Sequence, residues 1–178
     1  VWNCADSREI DTVCKDVQAD MIFSCPPYAD LEVYSDDPKD LSTLDYEEFV
    51  EAYREIIKKS CSLLRENAFA CFVVGDVRDK RGNYRNFLGD TIEAFRAAGL
   101  EYYNEAILVT PAGTLPMRAG RTFAASRKLG KTHQNVLVFL KGDFKKAVEK
   151  CGPCAVADVD ESMEAESTEY GEKLTVES

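Results

Sequence analysis

Four segments of the chain are rich in apolar residues and have the length of a β-strand. They are residues 20–24, 68–75, 102–110 and 135–140. Their apolar residues are mostly consecutive and do not alternate with polar ones. This pattern favours strands that are covered by helices on both faces, as in a parallel sheet. A short opening strand over residues 1–4 is also predicted.

Two longer segments between these strands show the spacing of an amphipathic helix. In residues 45–65, apolar side chains recur every three to four positions, with Glu and Lys on the other face. Residues 86–98 repeat the pattern, with Gly99 placed as a helix stop, and a weaker helix is predicted over residues 9–17. Strands that alternate with helices predict an α/β domain with a largely parallel sheet.

Three of the predicted strands are followed by loops that carry candidate functional residues. These loops are residues 24–28, 76–85 and 111–131. In a parallel sheet, ligands bind at the carboxyl ends of the strands, where successive loops meet. We therefore expect all three loops to lie on one rim of the sheet.

The composition is that of a soluble globular domain. The chain has 178 residues, 45% of them apolar and 30% charged. No apolar run approaches the roughly 18–20 residues of a membrane span, and the first residues lack the basic start and apolar core of a signal peptide. A cytoplasmic protein with no membrane partner is therefore expected.

The seven cysteines predict neither disulfides nor a zinc site. The only Cys-x-x-Cys pair is formed by Cys151 and Cys154, and the single histidine, His133, is distant in sequence. We expect free thiols in a reducing compartment and no bound metal.

The net charge of −10 is unevenly distributed. Residues 151–178 contain eight acids and one base, and they have few large apolar residues, so a disordered, solubilising tail is predicted over 147–178. Residues 106–140 contain no acid and five bases, which would neutralise phosphates if they do not simply form a solvated loop. These bases are Arg118, Arg121, Arg127, Lys128 and Lys131.

A Pro-Pro-Tyr turn follows the first buried strand. Neither proline has an N–H to continue a strand ladder, so the pair fixes a stiff turn. The sequence Asp-Met-Ile-Phe-Ser-Cys-Pro-Pro-Tyr-Ala-Asp at residues 20–30 resembles motif IV of the amino-methyltransferases, (Asp/Asn/Ser)-Pro-Pro-(Tyr/Phe/Trp). Those enzymes transfer a methyl group from S-adenosylmethionine to the exocyclic amine of adenine or cytosine in DNA.

Three further segments extend this resemblance in the same order. Asn-Cys-Ala-Asp-Ser at residues 3–7 is similar to the Gly-Asp-Ser segment of these enzymes, and residues 72–79 are similar to the strand after motif IV. Residues 130–139 resemble a late strand that carries Lys, then Glu or Asn, and then Phe. The chain thus resembles the N-4/N-6 DNA methylase family, especially its phage-borne members, over about residues 1–145.

The resemblance implies a Rossmann-like class I methyltransferase sheet, mostly parallel, with residues 1–146 as the catalytic domain, in a bacterial or phage-infected cell. It implies S-adenosyl-L-methionine as cofactor, bound by Asp6, Ser7 and Cys25. Double-stranded DNA would be the partner, with the five bases named above on its phosphates and the target base flipped out and stacked on Tyr28. The catalytic residues implied are Ser24, Cys25, Pro26, Pro27 and Tyr28.

The chain departs from the family pattern at two points. Cys25 occupies the acceptor position, where a thiol accepts hydrogen bonds only weakly, so backbone carbonyls or Ser24 would have to assist. The methionine-binding Phe-x-Gly-x-Gly loop is absent from all 178 residues. We therefore expect a fragment with a sheet incomplete on its N-terminal side and weak cofactor binding.

Several alternatives remain open at this stage. The target could be adenine or cytosine, and a methyltransferase acting on RNA or on a protein glutamine would share the Pro-Pro-Tyr chemistry. A catalytically silent DNA-binding module could also keep the α/β half and the basic loop. The sequence gives no indication of the oligomeric state.

Overall fold

A four-stranded sheet forms the centre of the fold. The computed structural model describes residues 2–28, 31, 33–113 and 115–153. Its strands are β1 (Ala19–Ser24), β2 (Leu64–Val74), β3 (Glu101–Val109) and β4 (His133–Lys141). All four predicted buried strands therefore form, with bounds shifted by a few residues.

The strands lie in the order β1, β2, β4, β3. β1 is parallel to β2, whereas β4 is antiparallel to both β2 and β3. β1, β2 and β3 consequently run in one direction, and β4 is inserted between β2 and β3 in the opposite direction. The mostly parallel α/β sheet is confirmed, and β4 is an exception that hydrophobic periodicity does not reveal.

The described helices are α1 (Ile10–Val13), α2 (Tyr46–Leu63), α3 (Phe87–Ala97), α4 (Leu115–Ser126) and α5 (Phe144–Cys151). Both long predicted helices form: the Asp45 carboxylate accepts a hydrogen bond from the backbone N–H of Glu48 at the start of α2, and Gly99, with φ of 87°, follows the end of α3. α1 is a single turn preceded by a short 3₁₀ turn, so the weak helix is shorter than predicted.

The hydrophobic core lies between one face of the sheet and helices α2 and α3. Phe95 of α3 stacks on Phe139 of β4 with ring centroids 3.9 Å apart, and it meets Phe72 of β2 edge to face with centroids 4.8 Å apart. Phe49 and Tyr53 of α2 stack at 5.5 Å and are almost fully buried. This aromatic cluster fixes both helices against the central strands.

The opposite face of the sheet is only partly covered by the described residues. Met21 and Phe23 of β1 are 55% and 65% exposed, and every residue of β3 is exposed. Ala147 of α5 is buried at the other end of this face, beside a cavity of about 480 Å³ that Phe69 and Val138 help to line. The expectation that helices bury both faces of all the strands is therefore wrong here, because a continuous apolar run does not report how many faces are covered.

The predicted opening strand does not form in residues 2–4. Trp2 is fully exposed. Among the described strands β1 pairs only with β2, so its other edge is open, but residues 2–4 do not pair with it and the segment is irregular.

The predicted division at residue 146 falls inside α5. The Asp143 carboxylate caps this helix by accepting from the Lys146 N–H, and the Lys150 ammonium donates to the Glu66 carbonyl at 2.6 Å. The regular structure thus continues to Cys151, and residues 154–178 of the predicted disordered tail lie outside the described residues. None of the described helices has the length and hydrophobicity needed to cross a membrane.

The core assignment predicts unequal effects of removing two phenylalanine side chains. Phe139→Ala empties a fully buried site and should lower the free energy of unfolding by about 3–5 kcal/mol. Phe23→Ala, at an exposed position, should lower it by about 0.5 kcal/mol or less. Urea denaturation followed by circular dichroism would measure both, and equal losses would contradict the one-sided core.

Candidate active site and nucleic-acid interface

The three expected loops gather at one edge of the sheet, which we call the rim. β1, β2 and β3 end there, and β4 begins there because it runs in the opposite direction. The Thr110 N–H donates to the Thr132 carbonyl at 2.8 Å, which joins the end of β3 to the start of β4. The rim therefore collects the loops after β1, β2 and β3, as expected from the sequence.

The Pro-Pro-Tyr turn leaves β1 at the rim. Ser24 is the last residue of β1 and pairs with Phe72 of β2. Cys25 is exposed, whereas Ser24, Pro26 and Pro27 are half-buried. The structure thus places the predicted acceptor, Cys25, on the surface of the rim with its neighbours in a stiff turn.

Tyr28 is held at its hydroxyl and at its ring. The Gln134 side-chain amide donates to the Tyr28 hydroxyl oxygen at 2.5 Å, and the Tyr28 ring meets Phe87 edge to face at 5.9 Å. Partial burial raises the pKa of Tyr28, although the hydrogen bond from Gln134 opposes this effect. The phenol is therefore neutral at physiological pH and fixed in position.

Gln134 is a site residue that the sequence reasoning did not assign. It lies in the segment that resembles the late family strand, but its place beside Tyr28 depends on the reversed direction of β4. Asp76, two residues after the end of β2, was predicted only as part of a loop. Its carboxylate accepts from the Leu88 N–H at 3.3 Å in the first turn of α3, where Asn86 makes no side-chain cap.

The predicted cofactor residues Asp6 and Ser7 line a cavity of about 400 Å³ together with Pro27. The Asp6 carboxylate accepts hydrogen bonds from the backbone and the guanidinium of Arg8, which hold the pKa of Asp6 below its usual value. The cavity lining also includes two further carboxylates, those of Asp37 and Asp40. Cys25 does not line this cavity, so the structure brings only two of the three predicted cofactor residues together.

The predicted basic loop contains the helix α4. Pro116 stands in its first turn, where a missing N–H is tolerated, and Gly120 lies inside it. These residues and Gly113 suggest a loop when read from sequence alone. The expectation of a loop over all of residues 111–131 is therefore wrong for the stretch Leu115–Ser126.

The five predicted bases do not form one cluster. Arg118 and Lys128 line the same pocket of about 210 Å³, whereas Arg121, Arg127 and Lys131 do not. The Arg127 guanidinium donates to the carbonyls of Phe123 and Ala124, both at 3.1 Å, and so satisfies the carboxyl end of α4. Arg78, from the loop after β2, lines the pocket with Arg118 and Lys128 and was not predicted. We call this cavity the basic pocket.

The fold resembles that of TTHA0409 from Thermus thermophilus, described as a "putative DNA modification methylase". One crystal structure of that protein superposes with a TM-score of 0.57 at 17% identity, over 86% of this chain and 56% of the other. Its complex with S-adenosyl-L-methionine gives a TM-score of 0.54 at 19% identity, over 78% and 51%. The chain thus spans about half the length of that protein.

A scan against protein-family profiles and a search of curated proteins found no match. At the identities above, the structural likeness establishes the fold. The chain has the Rossmann-like α/β fold shared with this methylase, which confirms the fold class that the sequence resemblance implied.

The exposure of the thiols predicts their order of reaction. Burial raises the pKa of Cys61 to about 12, so this thiol is protonated at pH 8. Cys25 is exposed at the rim. Brief treatment with iodoacetamide and peptide mass spectrometry should find Cys25 modified well before Cys61, and equal labelling of the native protein would contradict the placement of Cys25.

Proposed function

We propose that the protein containing this chain transfers a methyl group from S-adenosylmethionine to the exocyclic amine of adenine (N6) or cytosine (N4) in double-stranded DNA. The observation that carries this proposal is the Pro-Pro-Tyr turn at the carboxyl end of β1, with Tyr28 fixed by Gln134 and Phe87. The shared fold with TTHA0409, which has been crystallised with S-adenosyl-L-methionine, supports it.

The turn supplies the groups that this chemistry needs. An amine conjugated with an aromatic ring is a poor nucleophile, so acceptors must draw its nitrogen toward a tetrahedral geometry before attack on the methyl group. In our proposal the backbone carbonyls of the turn accept from the amine, assisted by Ser24 and by the thiol of Cys25. The target base is flipped out of the duplex and stacks on the ring of Tyr28.

The cavity beside Pro27 fits part of the proposed cofactor. Its lining includes Asp37 and Asp40, whose oxygens can accept from ribose hydroxyls, together with Lys39 and with Asp6, which is ion-paired to Arg8. We assign Asp6 and Ser7 to the adenosine end. The chain has no Phe-x-Gly-x-Gly loop for the methionine end, so it offers half of a site. When bound, the cofactor supplies the methyl group.

Substrate competition separates this proposal from its alternatives. The complete protein should transfer a labelled methyl group to duplex DNA in preference to RNA or to protein glutamine. The cations that line the basic pocket favour a nucleic acid over a protein substrate. Duplex binding by the complete protein with neither cofactor binding nor methyl transfer would favour the silent DNA-binding module.

Two substitutions of Tyr28 should differ in their effect on methylation. Tyr28→Phe keeps the ring and loses only the hydrogen bond from Gln134, whereas Tyr28→Ala removes the stacking surface. Base stacking of ~1–3 kcal/mol implies that the alanine variant of the complete protein is roughly tenfold to hundredfold slower than the phenylalanine variant. Gln134→Leu is the matched control, because it breaks the same hydrogen bond and leaves Tyr28 intact. Full activity of Tyr28→Ala would exclude the turn from the active site.

The residue at position 25 should set the acceptor strength. Because a thiol is a weak acceptor, Cys25→Asn and Cys25→Ser should keep or raise the rate of methyl transfer. Cys25→Val measures what the backbone carbonyls achieve alone, with folding checked by circular dichroism. A severe loss of activity in Cys25→Ser with an intact fold would mean that the thiol has another role.

A further inference from the structure

The basic pocket, of about 210 Å³, lies between α4 and the loop that follows β2. This loop, residues 77–85, folds back on itself as a hairpin: the Asp79 N–H donates to the Asn83 carbonyl at 2.8 Å, and the Arg85 N–H to the Val77 carbonyl at 3.0 Å. The hairpin contributes Arg78 to the pocket. The segment 115–130 contributes the rest of the lining, in which the polar side chains are Arg118, Thr122 and Lys128.

Arg78 is fixed in place by its own hairpin. Its Nη1 donates to the Gly82 carbonyl at 2.7 Å, and its guanidinium lies over the Tyr84 ring, 3.8 Å from the centroid. These contacts occupy one nitrogen and one face of the Arg78 guanidinium, so its other N–H groups can donate to a ligand. A guanidinium held in this way is suited to phosphate recognition, because little side-chain freedom is lost on binding.

Lys128 approaches the tip of the same hairpin. A Cβ atom placed at Gly82 would lie 2.5 Å from the Lys128 Nζ, which shows how closely this side chain approaches the hairpin; the φ of 94° at Gly82 favours glycine there. The ammonium therefore sits beside the residue whose carbonyl holds Arg78. Three cationic side chains from two segments of the chain thus converge on one pocket.

The described residues provide no carboxylate to neutralise these cations. None of the ion pairs among them involves Arg78, Arg118 or Lys128. The hairpin's own acid, Asp79, accepts from the Asn83 N–H at 2.8 Å, lies 3.8 Å from Arg81 and does not line the pocket. Like charges held together without a counter-charge attract an anion.

We propose that this pocket binds one phosphate of the DNA backbone through Arg78, Arg118 and Lys128 together. The inference rests on the proposed function in taking DNA as the ligand, and it adds a single defined phosphate site. The pocket adjoins the rim that carries the Pro-Pro-Tyr turn, and Arg121 is exposed on the same helix as Arg118. A phosphate held here would fix the position of the duplex while a base is flipped out.

The salt dependence of duplex binding tests whether the three cations share one phosphate. Each neutralised phosphate contributes about 0.9 to the slope of log K against log salt. Removing all three charges, as Arg78→Gln with Arg118→Gln and Lys128→Gln, should lower the slope by about 0.9 in total. A loss of about 2.7 would mean three separate phosphates, and an unchanged slope would mean none; either result overturns the proposal.

Two control variants separate the loss of charge in the basic pocket from other effects of substitution. Lys145→Gln removes one charge from α5, which follows β4 at the edge of the sheet opposite the rim, and should leave the slope unchanged. Arg78→Lys keeps the charge but loses the planar group on Tyr84, so it should weaken duplex binding with little change in slope. Circular dichroism would show whether each variant is folded.

Chemically modified duplexes identify the phosphate. When single methylphosphonates are placed at successive positions, the unmodified protein should lose affinity at one position, and the triple variant should be insensitive there. If inorganic phosphate binds the pocket while every modified duplex binds equally well, the ligand is a small anion and the DNA assignment is wrong. If the complete protein fails to methylate DNA but loses affinity at a single methylphosphonate position, the proposed function is contradicted and the phosphate site is supported.

Discussion

The reversed direction of β4 determines which residues meet at the rim. Because β4 is antiparallel to its neighbours, it begins where β1, β2 and β3 end, and its second residue, Gln134, reaches Tyr28. A parallel strand at this position would present its last residues to the rim and leave Gln134 at the far edge. The same insertion joins β3 to β4 at Thr110 and Thr132 and so brings the segment that carries α4 back over the rim.

The strands and the two long helices were predictable from the sequence. The coverage of the sheet faces and the helix α4 were not. Apolar runs located all four strands, and 3.6-residue periodicity located α2 and α3, because each of these helices buries one face against the core. The coverage of each face was not predictable, since a run such as that in β1 is equally apolar whether one face or two are covered. α4 was missed because Pro116 and Gly120 resemble loop residues, although a proline in the first turn of a helix is well tolerated.

The candidate site was predictable where it depends on contiguous residues and unpredictable where it depends on tertiary contacts. The Pro-Pro-Tyr turn is local, so its motif and position follow from the sequence. Gln134 and Arg78 enter through the topology, from segments with no motif that marks them as partners of Tyr28 or Lys128. The charge count indicated the basic segment, but it did not show that Arg127 caps α4 rather than lining the pocket.

The hydrogen bond between Gln134 and Tyr28 also bears on the order in which the protein folds. Its two residues are 106 positions apart, so the contact closes a long loop and contributes to a high contact order. Tyr28 is synthesised 106 residues before Gln134, so its hydroxyl cannot gain this partner until β4 has been made and inserted beside β2. The turn proposed for catalysis is therefore among the last parts of the domain to reach its final geometry, and an incomplete chain would expose a turn that is not yet fixed.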